Sequence, residues 1–322
     1  MRLARVLLAT ITSLILGATF AQTQLSISTG GTGGVYYPVG GGYAELINDY
    51  IDGYTAVAEV TGASVENVAL ISRGESDIAL ALADTVYQAY TGTGALEGNQ
   101  LENLRSLGVA YSNSVQIVTL ADSGIDNLQD LVGQRVSVGA PGSGTEVSAQ
   151  TILNANGITY DDIEEQRLNF NETAAALRDG QIDAGFWSVG APTSSILDLA
   201  TSRDIVVLEM SEEEITSSLE ADPTFARYTL PAGTYPGQDE DVNTVGTPNV
   251  LVVAAEMDEQ LAYDFLDALY GHIDEIVAIH PSANETTAEN SLQASPIPLH
   301  AGAIRYYEEA GHDIPDRLRP PQ

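Results

Sequence analysis

The stretch Leu25-Ser-Ile-Ser-Thr-Gly-Gly-Thr-Gly-Gly-Val-Tyr-Tyr-Pro38 predicts a strand, a glycine-rich loop and the start of a helix. Apolar and polar residues alternate over 25–29, which is typical of a strand. Pro38 suits the first helical position, and apolar residues then recur at helical spacing as far as Ile51. The loop of residues 30–37 therefore leads to a helix N-terminus, where free N–H groups and a partial positive charge favour anions.

A second stretch repeats this plan. Residues 135–139 predict a strand, residues 140–145 (Ala-Pro-Gly-Ser-Gly-Thr) a tight loop, and residues 146–156 a helix. The glycines of either loop, taken alone, could serve only to form a tight turn. Two such loops in different halves of the chain favour a ligand held between domains. Ser143 and Glu146 have capping-box spacing, so the N–H groups of Gly144 and Thr145 are the expected ligand contacts here.

Short apolar runs alternate with helical patterns along the chain, which predicts a parallel α/β fold. The length allows about two domains. Adjoining strand-like runs, 106–111 with 115–120 and 242–247 with 249–254, indicate where the chain crosses between them. Asp84 and Asn171 are predicted helix caps, and residues 258–279 a single long helix.

The composition excludes several classes of function. The 322 residues contain 45 acidic residues against 12 arginines, with no lysine and no cysteine, and the net charge is −33. A pyridoxal Schiff base and a standard P-loop both need lysine. Disulfides, thiolate nucleophiles and cysteine-bound metals are also excluded. Nucleic acid would be repelled, because its binding depends on cations that neutralise phosphates. So few basic residues also predict a protein that works in a salty medium, where charge repulsion is screened.

Residues 1–21 are predicted to be a cleaved signal peptide. Arg2 and Arg5 precede an uncharged, mostly apolar run, and small residues surround Ala21. The run is too short and too broken by polar residues for a typical membrane anchor. Since no cysteine follows it to carry a lipid, the exported protein is expected to be unanchored and to reside in a periplasm.

Other candidate residues give weaker indications. Tyr36, Tyr37 and Tyr235 could stack on or hydrogen-bond a ligand, or pack at a rim. Trp187 is interpreted as a core residue. The histidines form no metal-binding pattern and no G-x-S-x-G motif is present, so neither a metal site, a cofactor nor a catalytic triad is expected.

Several ordered motifs resemble the TAXI family, the solute receptors of one branch of TRAP transporters. The matching stretches are residues 28–40 (STGGTGGVYYPVG), 74–79 (GESDIA), 128–145 (LQDLVGQRVSVGAPGSGT), 179–186 (DGQIDAGF), 235–237 (YPG) and 298–307 (PLHAGAIRYY). The likeness extends over essentially the whole chain after the signal peptide. The glycine- and aspartate-rich motifs among these stretches are less specific, because other periplasmic binding proteins have similar ones.

The resemblance implies a two-lobed α/β receptor of the type II-like periplasmic binding protein class. Lobe 1 would comprise residues 22–113 and 247–322, and lobe 2 residues 114–246. The protein would act as a monomer, binding glutamate, glutamine or a related dicarboxylate without catalysis and delivering it to TRAP membrane subunits. There are two alternatives to this function: a binding protein of an ABC transporter, and an enzyme on the same scaffold.

The resemblance also implies which residues form the pocket. Val35 stands where the family often has a hydroxylic residue. Together with Tyr235, the expected ligand-binding residues are Gly34, Val35, Tyr36, Tyr37, Ala83, Asp84, Gly142, Ser143, Gly144, Thr145, Trp187, Ser188 and Gly190.

Overall fold

A computed structural model describes residues 22–321, so the predicted signal peptide lies outside the described residues. The strands are β1 (Thr23–Ser28), β2 (Tyr54–Glu59), β3 (Ile78–Leu82), β4 (Leu104–Leu120), β5 (Arg135–Ser137), β6 (Glu164–Gln166), β7 (Ala184–Val189), β8 (Ile205–Val207), β9 (Ala226–Leu230) and β10 (Val242–Ala254). The helices are α1 (Tyr36–Tyr50), α2 (Ser64–Ser72), α3 (Ala83–Thr91), α4 (Gly144–Ala155), α5 (Phe170–Arg178), α6 (Ser194–Ala200), α7 (Glu212–Ala221), α8 (Glu259–Gly271), α9 (Ile273–Ile279), α10 (Ala288–Ala294) and α11 (Ala301–Glu309).

The strands form one mixed sheet in the order β2-β1-β3-β10-β4-β7-β5-β6, with β9 beside β10 and β8 beside β4. Strands β2, β1 and β3 are parallel and end against the antiparallel β10; we call this the β1 side. Strands β6, β5 and β7 are parallel and end against the antiparallel β4; we call this the β5 side. The two sides therefore share one strand order, and each predicted glycine-rich loop follows the middle strand of its trio.

Strands β4 and β10 run through both sides as a long antiparallel pair. Each was predicted as two separate strands, which is wrong. Asn113 pairs with Thr247 in the ladder, so the polar residues 112–114 continue the strand instead of turning. The register shifts between Pro248 and Val250, which marks an irregularity in the sheet where the sides meet.

Helices on both faces of the sheet bury separate apolar clusters. Helix α2 contributes Val68 and Ile71 to a cluster on the β1 side. Helix α4 contributes Ile152 and Leu153 to a cluster on the β5 side. A third cluster extends from α1 and α8 to Trp187 on β7, so both sides share part of one core.

Several predicted helix boundaries are corrected. Helix α1 begins at Tyr36, which places Pro38 third in the helix. Leu82, not Asp84, is the N-cap of α3, and Asn169, not Asn171, caps α5. The helical pattern over 258–279 is interrupted at His272, which separates α8 from α9.

Candidate functional site

A cavity of about 400 Å³ lies between the two sides of the sheet. The helices α1, α2, α4 and α5 all begin at its wall. These helices follow the first two strands of each trio in chain order, β1 and β2 on one side and β5 and β6 on the other. The lining residues are Gly30, Gly31, Gly34, Val35, Tyr36, Val60, Thr61, Gly62, Ala63, Ser64, Leu82, Asn113, Ala140, Pro141, Ser143, Gly144, Thr145, Asn169, Phe170, Glu172, Ser188 and Val189.

The start of α1 is unusual among these four. Its N-cap, Val35, offers no side-chain hydrogen bond, and its first turn holds no acidic residue. The first N–H groups of a helix have no intrahelical partner and are free to bind an anion. In α1 the third residue, Pro38, has no N–H and does not add to these donors. The partial positive charge of this 15-residue helix is therefore not offset by acidic residues in its own first turn.

The second glycine-rich loop brings α4 to the same cavity. Gly139 has a φ of 104°, which favours glycine where the chain turns out of β5. Ser143 Oγ accepts a hydrogen bond from Glu146 N at 3.2 Å, as its spacing predicted. The Glu146 carboxylate accepts from Gly142 N instead of the Ser143 N–H, so the capping box is incomplete.

A chain of buried hydrogen bonds joins the wall of the cavity to the long strands. Tyr36 donates its hydroxyl to Asn249 Oδ1 at 2.5 Å, and Asn249 Nδ2 donates to Asn113 Oδ1 at 2.7 Å. Asn113 Nδ2 then donates to the carbonyl of Ser188 at 2.9 Å. Burial raises the pKa of Tyr36, so its hydroxyl remains a neutral donor.

Ser188 provides an uncommitted polar group at this wall. The residue is 5% exposed, and within residues 22–321 its Oγ has no hydrogen-bond partner. Its backbone N–H donates to Thr145 Oγ1 at 3.4 Å. A buried hydroxyl without a partner is rare in folded proteins, and Ser188 Oγ, which has almost no accessible surface, would reach a molecule in the cavity after rotation of its side chain.

Direct contacts join the two sides around the cavity. Val65 N and Glu66 N, in the first turn of α2, donate to the carbonyl of Gly142 at 3.1 and 3.2 Å. Thr193 Oγ1 donates to the carbonyl of Gly33 at 3.1 Å. Two N–H groups at the start of α2 are therefore already bonded to the opposite loop.

A buried carboxyl forms another link between the sides. Asp84 accepts from Ser148 Oγ and from Thr85 N, both at 2.5 Å. Burial, with a further contribution from the charge of Asp222, raises the pKa of Asp84 to about 7. Asp222 in turn accepts from Gln88 Nε2 at 3.0 Å.

The structure brings seven of the fourteen sequence-predicted residues to the cavity wall. They are Gly34, Val35, Tyr36, Ser143, Gly144, Thr145 and Ser188. Gly142 is adjacent in the second loop, and Tyr37 follows in α1 with 39% of its surface exposed. The remaining residues, Ala83, Asp84, Trp187, Gly190 and Tyr235, lie outside the lining.

Two of the residues outside the lining are aromatic and buried. Trp187 is fully buried, as interpreted, and stacks on the lining residue Phe170 with ring centroids 6.1 Å apart. Tyr235 is 2% exposed and donates its hydroxyl to Gln116 Oε1 at 2.5 Å.

Sequence reasoning missed the contributions of the β2–α2 and β6–α5 connections. These supply residues 60–64 and Asn169, Phe170 and Glu172 to the lining. The spacing of Asn169 and Glu172 is that of a capping box, which the structure contains, so this helix start was detectable. Residues 60–64 include no motif that predicts a site.

Over the described part of the chain, no cluster of three or more His, Asp or Glu residues could hold a metal ion. No helix within that part is long and apolar enough to cross a membrane.

Comparisons with known proteins agree with this fold. A family model described as the NMT1-like family matches residues 27–311. A protein from Bordetella bronchiseptica RB50 is 16% identical, with 92% of this chain and 91% of that chain covered and a TM-score of 0.53. A candidate L-cystine ABC transporter from Listeria monocytogenes is 14% identical, with 84% and 98% covered and a TM-score of 0.50.

The periplasmic aliphatic sulphonate binding protein SsuA from Escherichia coli is 17% identical, with 89% and 83% covered and a TM-score of 0.47. At these identities the structural matches concern the fold. The chain has the α/β fold of the two-lobed solute-binding proteins, with a mixed sheet flanked by helices.

Proposed function

Because this chain belongs to the NMT1-like family and has a solute-binding fold, we propose that it is an extracytoplasmic receptor for a small carboxylate. The carboxylate binds in the cavity between the two lobes. The receptor then delivers it to the membrane subunits of a transporter.

One observation carries this proposal. The start of α1, which has neither an acidic residue in its first turn nor a side-chain cap, lies at the wall of a 400 Å³ cavity whose lining also includes Ser188, with its unpartnered Oγ. Helix N–H groups and a hydroxyl are the donors that a carboxylate accepts from. The cavity also has the size and mostly apolar lining of a small-molecule site.

In this proposal, lobe 1 comprises residues 22–113 and 247–322, and lobe 2 comprises residues 114–246. Both boundaries fall inside the long strands β4 and β10. Opening would bend this pair near 112–116 and 242–248, and would separate Gly142 from α2 and Asp84 from Ser148.

The test is calorimetric titration of the purified protein with small carboxylates, using two matched serine variants. Ser188→Ala should weaken carboxylate binding roughly tenfold, since one hydrogen bond to a charged group is lost. Ser114→Ala is the control, because Ser114 Oγ is also buried without a partner but does not line the cavity. Binding of only cations or sugars would refute the proposal, and equal effects of both variants would remove Ser188 from the site.

The finer proposal is that the membrane partner is a TRAP transporter, as the TAXI resemblance implies. An ABC transporter is the second candidate, because the matched Listeria monocytogenes protein is described as one and shares the fold. Uptake into proteoliposomes with the subunits encoded beside this gene distinguishes them. Transport driven by an ion gradient supports the first candidate, and transport that requires ATP supports the second.

The proposal includes export, with cleavage after Ala21, into the periplasm of a cell in a salty medium. N-terminal sequencing of the periplasmic protein tests the cleavage. It also includes binding without turnover, since the lining offers, within the described residues, no histidine or lysine, and its carboxylate, Glu172, accepts the capping hydrogen bond from Asn169 N. Chemical change of a bound ligand, followed by NMR, would instead favour an enzyme.

A further inference from the structure

We propose that the site takes a ligand with one carboxylate on an apolar body and rejects a second carboxylate, because three of its four helix starts already carry a glutamate of their own. This inference rests on the proposed function and narrows its ligand. It departs from the dicarboxylates that the TAXI resemblance implies.

Three helices at the cavity carry a glutamate at their third position. Glu66 of α2 accepts from Gly62 N at 2.6 Å, and Glu146 of α4 accepts from Gly142 N at 3.3 Å. Glu172 of α5 accepts from Asn169 N at 2.9 Å. Each carboxylate sits at the positive end of its own helix and offsets the partial charge that would attract an anion. Glu146 also pairs with Arg167 at 2.6 Å, so the offset is smaller at α4 than at α2 and α5.

A second feature makes the start of α2 unavailable to an anion. Its Val65 and Glu66 N–H groups donate to the Gly142 carbonyl of the opposite side. A ligand carboxylate at this helix would have to displace that contact between the two sides.

Helix α1 alone remains open to an anion. Its first turn contains no acidic residue, and its N-cap Val35 contributes no side-chain acceptor. Ser188 lines the same cavity and carries a buried hydroxyl without a partner, which supplies an independent donor once its side chain rotates toward the cavity. These donors define one carboxylate position.

The rest of the lining suits an apolar body. Val60, Leu82, Pro141, Phe170 and Val189 contribute apolar side chains. Among the described residues, no arginine or histidine lines the cavity. A second carboxylate would lose its water without gaining a cation, and its neighbour Glu172 would repel it.

The test compares ligands that differ by a single carboxylate. Pentanoate and glutarate have the same number of carbons and differ by one carboxylate. Norvaline and glutamate differ from each other in the same way, and each also carries an amino group. Titration at neutral pH should show that pentanoate binds at least tenfold more tightly than glutarate, and norvaline more tightly than glutamate.

The outcomes separate this inference from the proposed function. If glutarate or glutamate binds as tightly as its partner or more tightly, the inference is overturned while the receptor proposal stands. If no carboxylate binds, the receptor proposal fails with it.

A charge variant tests the cause of the selectivity. Glu172→Gln keeps the capping geometry and removes the charge, so the preference for pentanoate over glutarate should fall at least threefold. Glu214→Gln is the matched control, because Glu214 occupies the same capping-box position in α7 but does not line the cavity. An unchanged preference in Glu172→Gln, or an equal change in the control, would overturn the role given to the glutamates.

Discussion

Gly144, the first residue of α4, is a residue at which the two sides approach each other closely around the cavity. A Cβ atom built there would lie 2.5 Å from Ser64 Oγ and 2.7 Å from Leu82 Cδ1. Ser64 cannot move freely, because its Oγ accepts from Leu82 N at 3.0 Å. We therefore expect Gly144→Ala to hold the sides apart and to weaken carboxylate binding at least tenfold, or about 1.4 kcal/mol.

The matched control for this prediction is Gly41→Ala in the interior of α1, where a new Cβ meets nothing within 4 Å. This variant should bind normally and gain slightly in stability, since alanine favours helices over glycine. Titration and thermal melting measure both effects. Unchanged affinity in Gly144→Ala would show that the close approach is absent from the bound state.

The buried Asp84 predicts a specific pH dependence of stability. Its pKa is about 7 in the folded protein because of burial, well above its unfolded value, so the native state holds a proton that the unfolded state loses. Stability should therefore fall as pH rises from about 4 to about 7, by up to about 1.4 kcal/mol per pH unit, and then level off. Urea unfolding of wild type and Asp84→Asn across this range isolates the effect. A difference between the two that does not grow with pH would contradict it.

Single residues also show where sequence reasoning succeeds. Ser211 and Glu214 have capping-box spacing in the sequence, and the structure contains this capping box, because the interaction is local. Asp84 was wrongly predicted as a cap because its carboxylate accepts from Ser148, 64 residues away in sequence. For a buried polar residue, a distant partner outweighs the local preference.

At the scale of the element, the open start of α1 predicts opposite effects of a new charge on stability and on binding. Tyr37 is the second residue of α1 and is 39% exposed. An acidic residue there interacts favourably with the helix N-terminus, by about 0.3–1 kcal/mol. Tyr37→Glu should therefore melt at the same temperature as Tyr37→Gln or higher, yet bind carboxylates several-fold more weakly. Equal binding by both variants would place the anion away from α1.

The long strands show why the elements were only partly predictable. Residues 112–114 are polar and indicate a turn when they are considered alone. They remain extended because β10, more than 120 residues later, supplies their ladder partners. The β2–α2 connection joins the cavity for the same reason, since only the sheet order places it beside the glycine-rich loops.

At the scale of the whole molecule, the charge is far from balanced. The net charge is −33, and most arginines are already paired with carboxylates, as Arg135 is with Asp183 at 2.7 Å. The remaining acidic groups repel one another, which costs stability at low ionic strength.

This imbalance predicts that salt stabilises the protein by screening. The Debye length falls from about 30 Å at 0.01 M salt to about 10 Å at 0.1 M. The melting temperature should therefore rise by several degrees with sodium chloride, mostly below about 0.3 M. Preferential exclusion of salt from the surface would instead act mainly at molar concentrations and would be stronger for sulfate, so equal ionic strengths of the two salts separate the causes. A melting temperature that is flat or falls up to about 1 M would contradict both the screening and the proposed salty medium.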